Sequence, residues 1–157
     1  MFKKILVPLD GSDLAGKVIS QAEDLAKSFN AQLVLLTVGS AEVGEIGPAS
    51  PELKTEAVAH MPAVKYLEET AAALQAKGLK ATWVYKQGDP APGIINYAND
   101  QQMDLIVMAS HGAGEIAWLL GNVAHRVVSH SPVEVLLIRV VQPKPPEHKS
   151  ELGYFSM

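Results

Sequence analysis

Residues 108–122, MASHGAGEIAWLLGN, follow directly on Asp104-Leu105-Ile106-Val107, a run that reads as a buried strand. Gly112, Gly114 and Gly121 leave little side chain around what reads as a helix start. A strand, a turn of small residues and a helix form the repeating unit of α/β domains. In such a turn backbone N–H groups come close to an anion, and the positive end of the following helix favours its charge. Phosphate is the natural guest. The plainer reading is that glycine only makes the turn tight, as in any α/β domain.

Working outward, the same alternation covers the chain. Lys4 to Leu9 is a β-branched and apolar run closed by Asp10-Gly11-Ser12, which is turn and cap chemistry. A helical stripe follows at Leu14, Val18, Ala22, Leu25 and Phe29, with Asn30 as its C-terminal cap. Residues 32–38 are continuously apolar around Leu33-Val34-Leu35-Leu36, as a strand covered on both faces would be. Residues 39–60 carry Gly, Pro, Ser and Glu without period and read as a long exposed loop with at most a fragment of helix.

Pro62 then opens a second helix, with Val64, Leu67, Ala71 and Leu74 on one face and Lys77-Gly78 at its end. Residues 81–85 form a third strand, 93–100 a short helix and 104–109 a fourth strand. A helix over 115–129 turns Ile116, Leu120, Val123 and Val127 inward, and residues 133–140 form a fifth strand. Five strands joined by four helices predict an α/β domain with a parallel, doubly wound sheet and helices on both faces. Ligands in such folds bind beyond the carboxyl ends of strands, where strand order reverses. That selects the Asp10-Gly11-Ser12 turn and the glycine turn after the fourth strand.

Composition narrows the field. The chain has 157 residues, enough for one domain with a real core, and 48% of them are hydrophobic. With no cysteine, disulfides, thiolate zinc sites and cysteine catalysis are excluded. A net charge of -4 weighs against phosphate-driven nucleic-acid binding. No apolar stretch approaches the ~20 residues that span a bilayer, and residues 1–5 lack the pattern of a signal peptide. The expected setting is therefore cytoplasmic, with no membrane and no nucleic acid as partner. A domain over residues 1–141 and a mobile Pro- and Lys-rich tail over 142–157 are expected.

Known chemical signatures are mostly missing. The Gly-Lys-Ser/Thr ending of a P-loop is absent. Residues 112–117 match the dinucleotide pattern in its terminal-alanine form, but after the fourth strand rather than the first. The acidic residue wanted about 20 positions later could only be Glu134, at the wrong end of its strand. A phosphoacceptor domain would want an acidic pair after strand one and a lysine after strand five, where Asp10 stands singly and Arg139 lies inside the strand. His125 and His130 lie five apart and off a common helix face, against a metal pair. No base, nucleophile and orienting acid come together for efficient turnover.

Three stretches taken together identify a resemblance. They are KKILVPLDGSD at residues 3–13, GDPAPGIINYANDQQMDLIVMASHG at 88–112 and LLGNVAHRVVSHSPVEVLLIR at 119–139. With them the chain resembles the universal stress proteins, adenine-nucleotide-binding α/β domains, over about residues 2–140. The resemblance implies strand order 3-2-1-4-5. The nucleotide-binding branch carries Gly-x-x-Gly, nine residues, then Gly-Ser or Gly-Thr. Here Ala109 stands at the first glycine and Gly112 at the second; only eight residues precede Gly121, and Asn122 replaces the hydroxyl residue.

By the same resemblance Pro8, Leu9 and Asp10 lie near the nucleoside, with Asp10 placed to meet ribose or a bound Mg2+, and Val38 lines the adenine slot. Met108, Ala109, Ser110, His111 and Gly112 wrap the phosphates, and Gly121, Asn122 and Val123 close the far side. Each has a structural alternative: an Asx turn or helix cap for Asp10, core packing for Val38, a bond within its own loop for His111. The fifth strand, Val133 to Val140, is implied to be an edge that pairs with its copy in a homodimer, unless the tail covers it. The expected function is an ATP-binding (or AMP- or ADP-binding) stress or signalling module, with at most slow hydrolysis and a protein partner of unknown identity. The alternative is an interaction protein of the same fold that binds no nucleotide, which the shortened spacing and Asn122 favour. An enzyme on this nucleotide scaffold is disfavoured by the lack of a substrate domain and a catalytic cluster.

Overall fold

The computed structural model describes residues 1–112 and 120–140. The apolar runs become strands β1 (Lys4–Pro8), β2 (Gln32–Gly39), β4 (Lys80–Gln87), β5 (Leu105–Ala109) and β6 (Glu134–Ile138), all mutually parallel where they pair. A sixth strand, β3 (Glu45–Ile46), pairs antiparallel with β4, so the sheet is mixed and runs β3-β4-β2-β1-β5-β6. The five parallel strands thus stand in the expected 3-2-1-4-5 order, and the expected strand count is corrected by one. Two residues are too short to show a period, so β3 is invisible in sequence. It forms because Ile46, 1% exposed, joins the core opposite Tyr85.

The segment after β2 is exposed along most of its length, as its composition suggests, but Ile46 and Val58 anchor it and it is not without regular structure. It holds β3, a 3-10 turn (Pro51–Leu53) and a one-turn helix α2 (Glu56–Ala59) capped by the Thr55 side chain. The buried Tyr85 hydroxyl accepts the Ala41 N–H at 3.0 Å, and the Gln87 N–H donates to the Gly44 carbonyl at 2.9 Å. Further along, Gly47 lies against the Trp83 carbonyl, so the chain after β3 continues beside the β4 edge.

Alternation along each strand splits the core into two layers. Ile5, Val7, Leu33, Leu35 and Val107 face helices α1 (Ala15–Phe29) and α3 (Pro62–Ala76). Leu6, Val34, Leu36, Ile106 and Met108 face α4 (Pro90–Asp100) and α5 (Asn122–His130). The buried line of α1 is Ala15, Val18, Ala22 and Ala26, with Leu14 and Leu25 half-buried. Phe29, expected on the inner stripe, instead meets Phe2 edge-on at 5.3 Å near the surface. Alanines let the helix lie close to the sheet, so the larger residues flank the contact. Asn30 caps α1 in the left-handed conformation, φ 52°.

Helix α4 starts at Pro90, three residues before the expected Gly93. Proline is tolerated in a first turn, where the N–H has no partner to lose; its two prolines mark the start and not a break. Of the expected 115–129 helix, residues 113–119 lie outside the described residues. Leu120 is 40% exposed and precedes the helix, which starts at Asn122. The Gly121 N–H is bonded to the Ser110 carbonyl at 2.9 Å, which fixes the chain in a non-helical turn there. The expected tail over 142–157 lies outside the described residues as well.

At the opposite end of the sheet Asp104 ties β1 to β5. One carboxylate oxygen, Oδ2, accepts the Lys3 and Lys4 N–H groups, each at 2.9 Å. These bonds, first that from Lys4, hold its pKa below the ordinary value of 3.8. A depressed folded pKa contributes stability that is complete above the unfolded value and lost as pH falls through the folded one. Asp104→Ala will therefore destabilise the protein at pH 7, by about 1 kcal/mol after allowing for solvent screening. In urea titrations the gap between wild type and variant should close as pH drops below about 4. A gap that persists at pH 2 would place its cause elsewhere than in the carboxylate.

Candidate functional site

Strand β1 sits between β2, reached through α1, and β5, reached after β4 and α4. The strand order reverses there, and a crevice opens between helices running to opposite faces. The turn leaving β1 is held by bonds to the end of β2 and by one local bond. The Leu9 N–H donates to the Leu36 carbonyl at 2.8 Å, and the Thr37 hydroxyl donates to the Leu9 carbonyl at 2.9 Å. The Asp10 carboxylate accepts the Ser12 N–H at 2.9 Å, an Asx turn in which Gly11 takes φ +79°. Asp10 both makes this turn and reaches the crevice.

The cleft so formed has a volume of about 130 Å³. Its floor is Leu36, Met108 and Val18, and one wall is Val38 with Pro90 and Ile94 from the start of α4. Pro8 and Leu9 leave β1 into it, Ala109 leaves β5, and Asp10, Ser12, His111 and Gly112 supply its polar groups. Val123 and Ala124, in the first turn of α5, complete the lining. Amides in a helix's first turn have no acceptor four residues back, and the helix dipole makes that end positive. The site is thus an apolar slot with a polar end at a helix N-terminus, able to take a flat ring and an anionic group together.

Nine of the twelve expected site residues meet at this cleft: Pro8, Leu9, Asp10, Val38, Met108, Ala109, His111, Gly112 and Val123. Ser110, Gly121 and Asn122 are not among its lining residues. Ser110 is 2% exposed, and its N–H donates to the Ile138 carbonyl at 2.9 Å, extending the β5–β6 ladder by one step. Its hydroxyl lies 2.7 Å from His111 Nδ1, so the pair supports the ring at the cleft edge. The Gly121 amide is engaged by the Ser110 carbonyl. Sheet and turn bonds thus use the amides of Ser110 and Gly121 within the protein.

Sequence reasoning selected the Asp10-Gly11-Ser12 turn but missed Leu14, Ala15 and Val18 just beyond it, all lining the cleft. The signal was present, since the helix after the first strand must begin beside the crevice in this topology. Pro90, Ile94 and Ala124 were hidden by the uncertain starts of α4 and α5. Among the described residues no three His, Asp or Glu side chains gather to hold a metal ion, and no helix is long and apolar enough to cross a membrane.

Comparison with known proteins agrees with this architecture. The family model described as "Universal stress protein family" matches residues 1–139. Universal stress protein YxiE of Bacillus subtilis is 34% identical over 150 residues, covering 88% of this chain and 100% of the relative. A universal stress protein solved in complex with cAMP superposes with a TM-score of 0.64 at 24% identity, over 88% of this chain and 98% of the other. One from Archaeoglobus fulgidus, solved in complex with dAMP, gives 0.64 at 18% identity, over 87% and 98%. These two share the fold. With the sequence match extending over nearly all the described residues, the chain belongs to the universal stress protein family.

Proposed function

We propose that the protein binds an adenine nucleotide in the cleft at the carboxyl ends of β1 and β5 and serves as a cytoplasmic stress or signalling module. The observation that carries this reading is the cleft itself: an apolar slot between Val38 and Met108 that ends at the first turn of α5. The base takes the slot, the ribose lies by Pro8, Leu9 and Asp10, and phosphate meets the His111-Gly112 turn and the amides of Val123 and Ala124. Ser110 and Gly121 support this turn from behind, the first through the His111 ring and the second through the Ser110 carbonyl. Two proteins with this fold were solved in complex with cAMP and with dAMP, which supports an adenine nucleotide as the ligand class. Mg2+ fits as a companion of a polyphosphate, since it is commonly held by one or two carboxylates plus phosphate oxygens, and Asp10 supplies one. Hydrolysis is at most slow: the attacking group would be water, and Asp10 and His111, the titratable side chains that line the cleft among the described residues, sit in separate turns after β1 and β5 and form no base-and-orienter pair. A homodimer forms through β6, an edge strand on which Leu136 is 38% exposed.

Calorimetry and thermal unfolding with ATP, ADP and AMP, with and without Mg2+, test the reading. Nucleotide at 100 times its Kd should raise Tm by roughly 5–10 °C. No heat and no shift at millimolar nucleotide would overturn it. One observation favours the second reading, an interaction protein without nucleotide: the amides of Ser110 and Gly121 are already spent within the protein. That reading requires the same experiment to give nothing.

A further inference from the structure

We infer that Gly93 is a positioning residue for the Val38 wall of the cleft; the inference rests on the nucleotide reading above. Gly93 lies in the first turns of α4, between the cleft-lining Pro90 and Ile94, with its N–H bonded to the Asp89 carbonyl at 2.9 Å. A Cβ at this position would stand 2.7 Å from Val38 Cγ1, 3.0 Å from Cγ2 and 3.4 Å from Cβ. Valine places two methyls in three staggered positions. The two positions in use are both too close to the added atom, so any rotamer leaves at least one of them filled. Rotation can at best exchange the 2.7 Å contact for the 3.0 Å one, which still requires the neighbour to give way. The Val38 backbone is held in register with Lys86 of β4, so it cannot retreat along the sheet. Either the isopropyl group moves into the slot or α4 moves away and carries Pro90 and Ile94 with it. In both cases the wall that receives the base changes. The missing side chain at residue 93 thus sets the slot's width, although Gly93 itself is not among the cleft-lining residues.

The experiment compares wild type, V38A, G93A and V38A/G93A by thermal unfolding and by calorimetric titration with AMP. Alanine is a better helix former than glycine, so G93A alone would raise Tm if nothing obstructed it. The expected result is a reversal of sign: G93A lowers Tm when Val38 is present and raises it in the V38A background. AMP affinity should fall about tenfold in G93A and return to within about threefold of the V38A value in the double variant. A rise in Tm on G93A with Val38 in place, or unchanged AMP affinity in G93A, would overturn the assignment. Wild type that takes up no AMP overturns the nucleotide reading and the wall's role with it. The Tm reversal is read without ligand, so the two failures are distinguishable.

Discussion

Alanine in place of Leu6 will lower the unfolding free energy by about 3–4 kcal/mol, a large part of the 5–15 kcal/mol typical of a domain. Leu6 is fully buried on β1, the strand at the middle of the parallel set. It lies level with Val34 on one side and Ile106 on the other, and all three belong to the layer under α4 and α5. The cost has two parts. Lost burial of the side chain accounts for about 2 kcal/mol. The remainder is the cavity, because strands held by hydrogen bonds on both flanks cannot close over it. A shift in the urea midpoint with an unchanged slope would show a loss confined to the folded state. A loss under 1 kcal/mol would mean that α4 and α5 collapse onto the gap, and that this layer is less firmly packed than its burial indicates.

Glutamate at position 123 should cut adenine-nucleotide affinity about 100-fold while the protein stays folded. Val123 is half-buried, lines the cleft and belongs to the first turn of α5. A carboxylate in that turn suits the helix dipole and partly offsets the lost apolar contact. Its effect on a bound phosphate is the opposite. Two negative charges about 6 Å apart at an effective dielectric near 20 repel by about 2.8 kcal/mol, or two decades in Kd. Val123→Gln, of similar size and without charge, should keep most of the affinity. Calorimetry with AMP on both variants checks this. Equal losses for Glu and Gln would show that shape and not charge governs this end of the cleft, and would remove the phosphate from the α5 terminus.

The readable parts of the fold were those with a long signal. Leu33-Val34-Leu35-Leu36 can hardly be anything but a strand buried on both faces, and Val64, Leu67, Ala71 and Leu74 mark one side of a helix. What stayed hidden depended on contacts between distant residues. Strand β3 exists through Ile46 and its partner Tyr85, about forty positions away. The inner line of α1 shifted because alanine, which carries little hydrophobic signal, permits the closest approach to the sheet. The site divides along the same boundary. Its place follows from topology, which selected the turns after β1 and β5, whereas Pro8, Val38 and Met108 were named through the family resemblance. The role of Ser110 could not be placed, because its amide's acceptor is a carbonyl on β6, twenty-eight residues later.

The two rims of the sheet are unequal. Along β4 the neighbouring lane is already taken by β3 and by the chain passing Gly47, with Lys80 and Lys86 in β4 itself. Along β6 the lane is open among the described residues. The opposite edge is β3 itself, only two residues long, so the longer free margin is the one along β6. If copies of this chain join along β6, the edges left over are two-residue strands, too short to template a further one, so that mode of assembly would stop at a pair instead of growing into filaments.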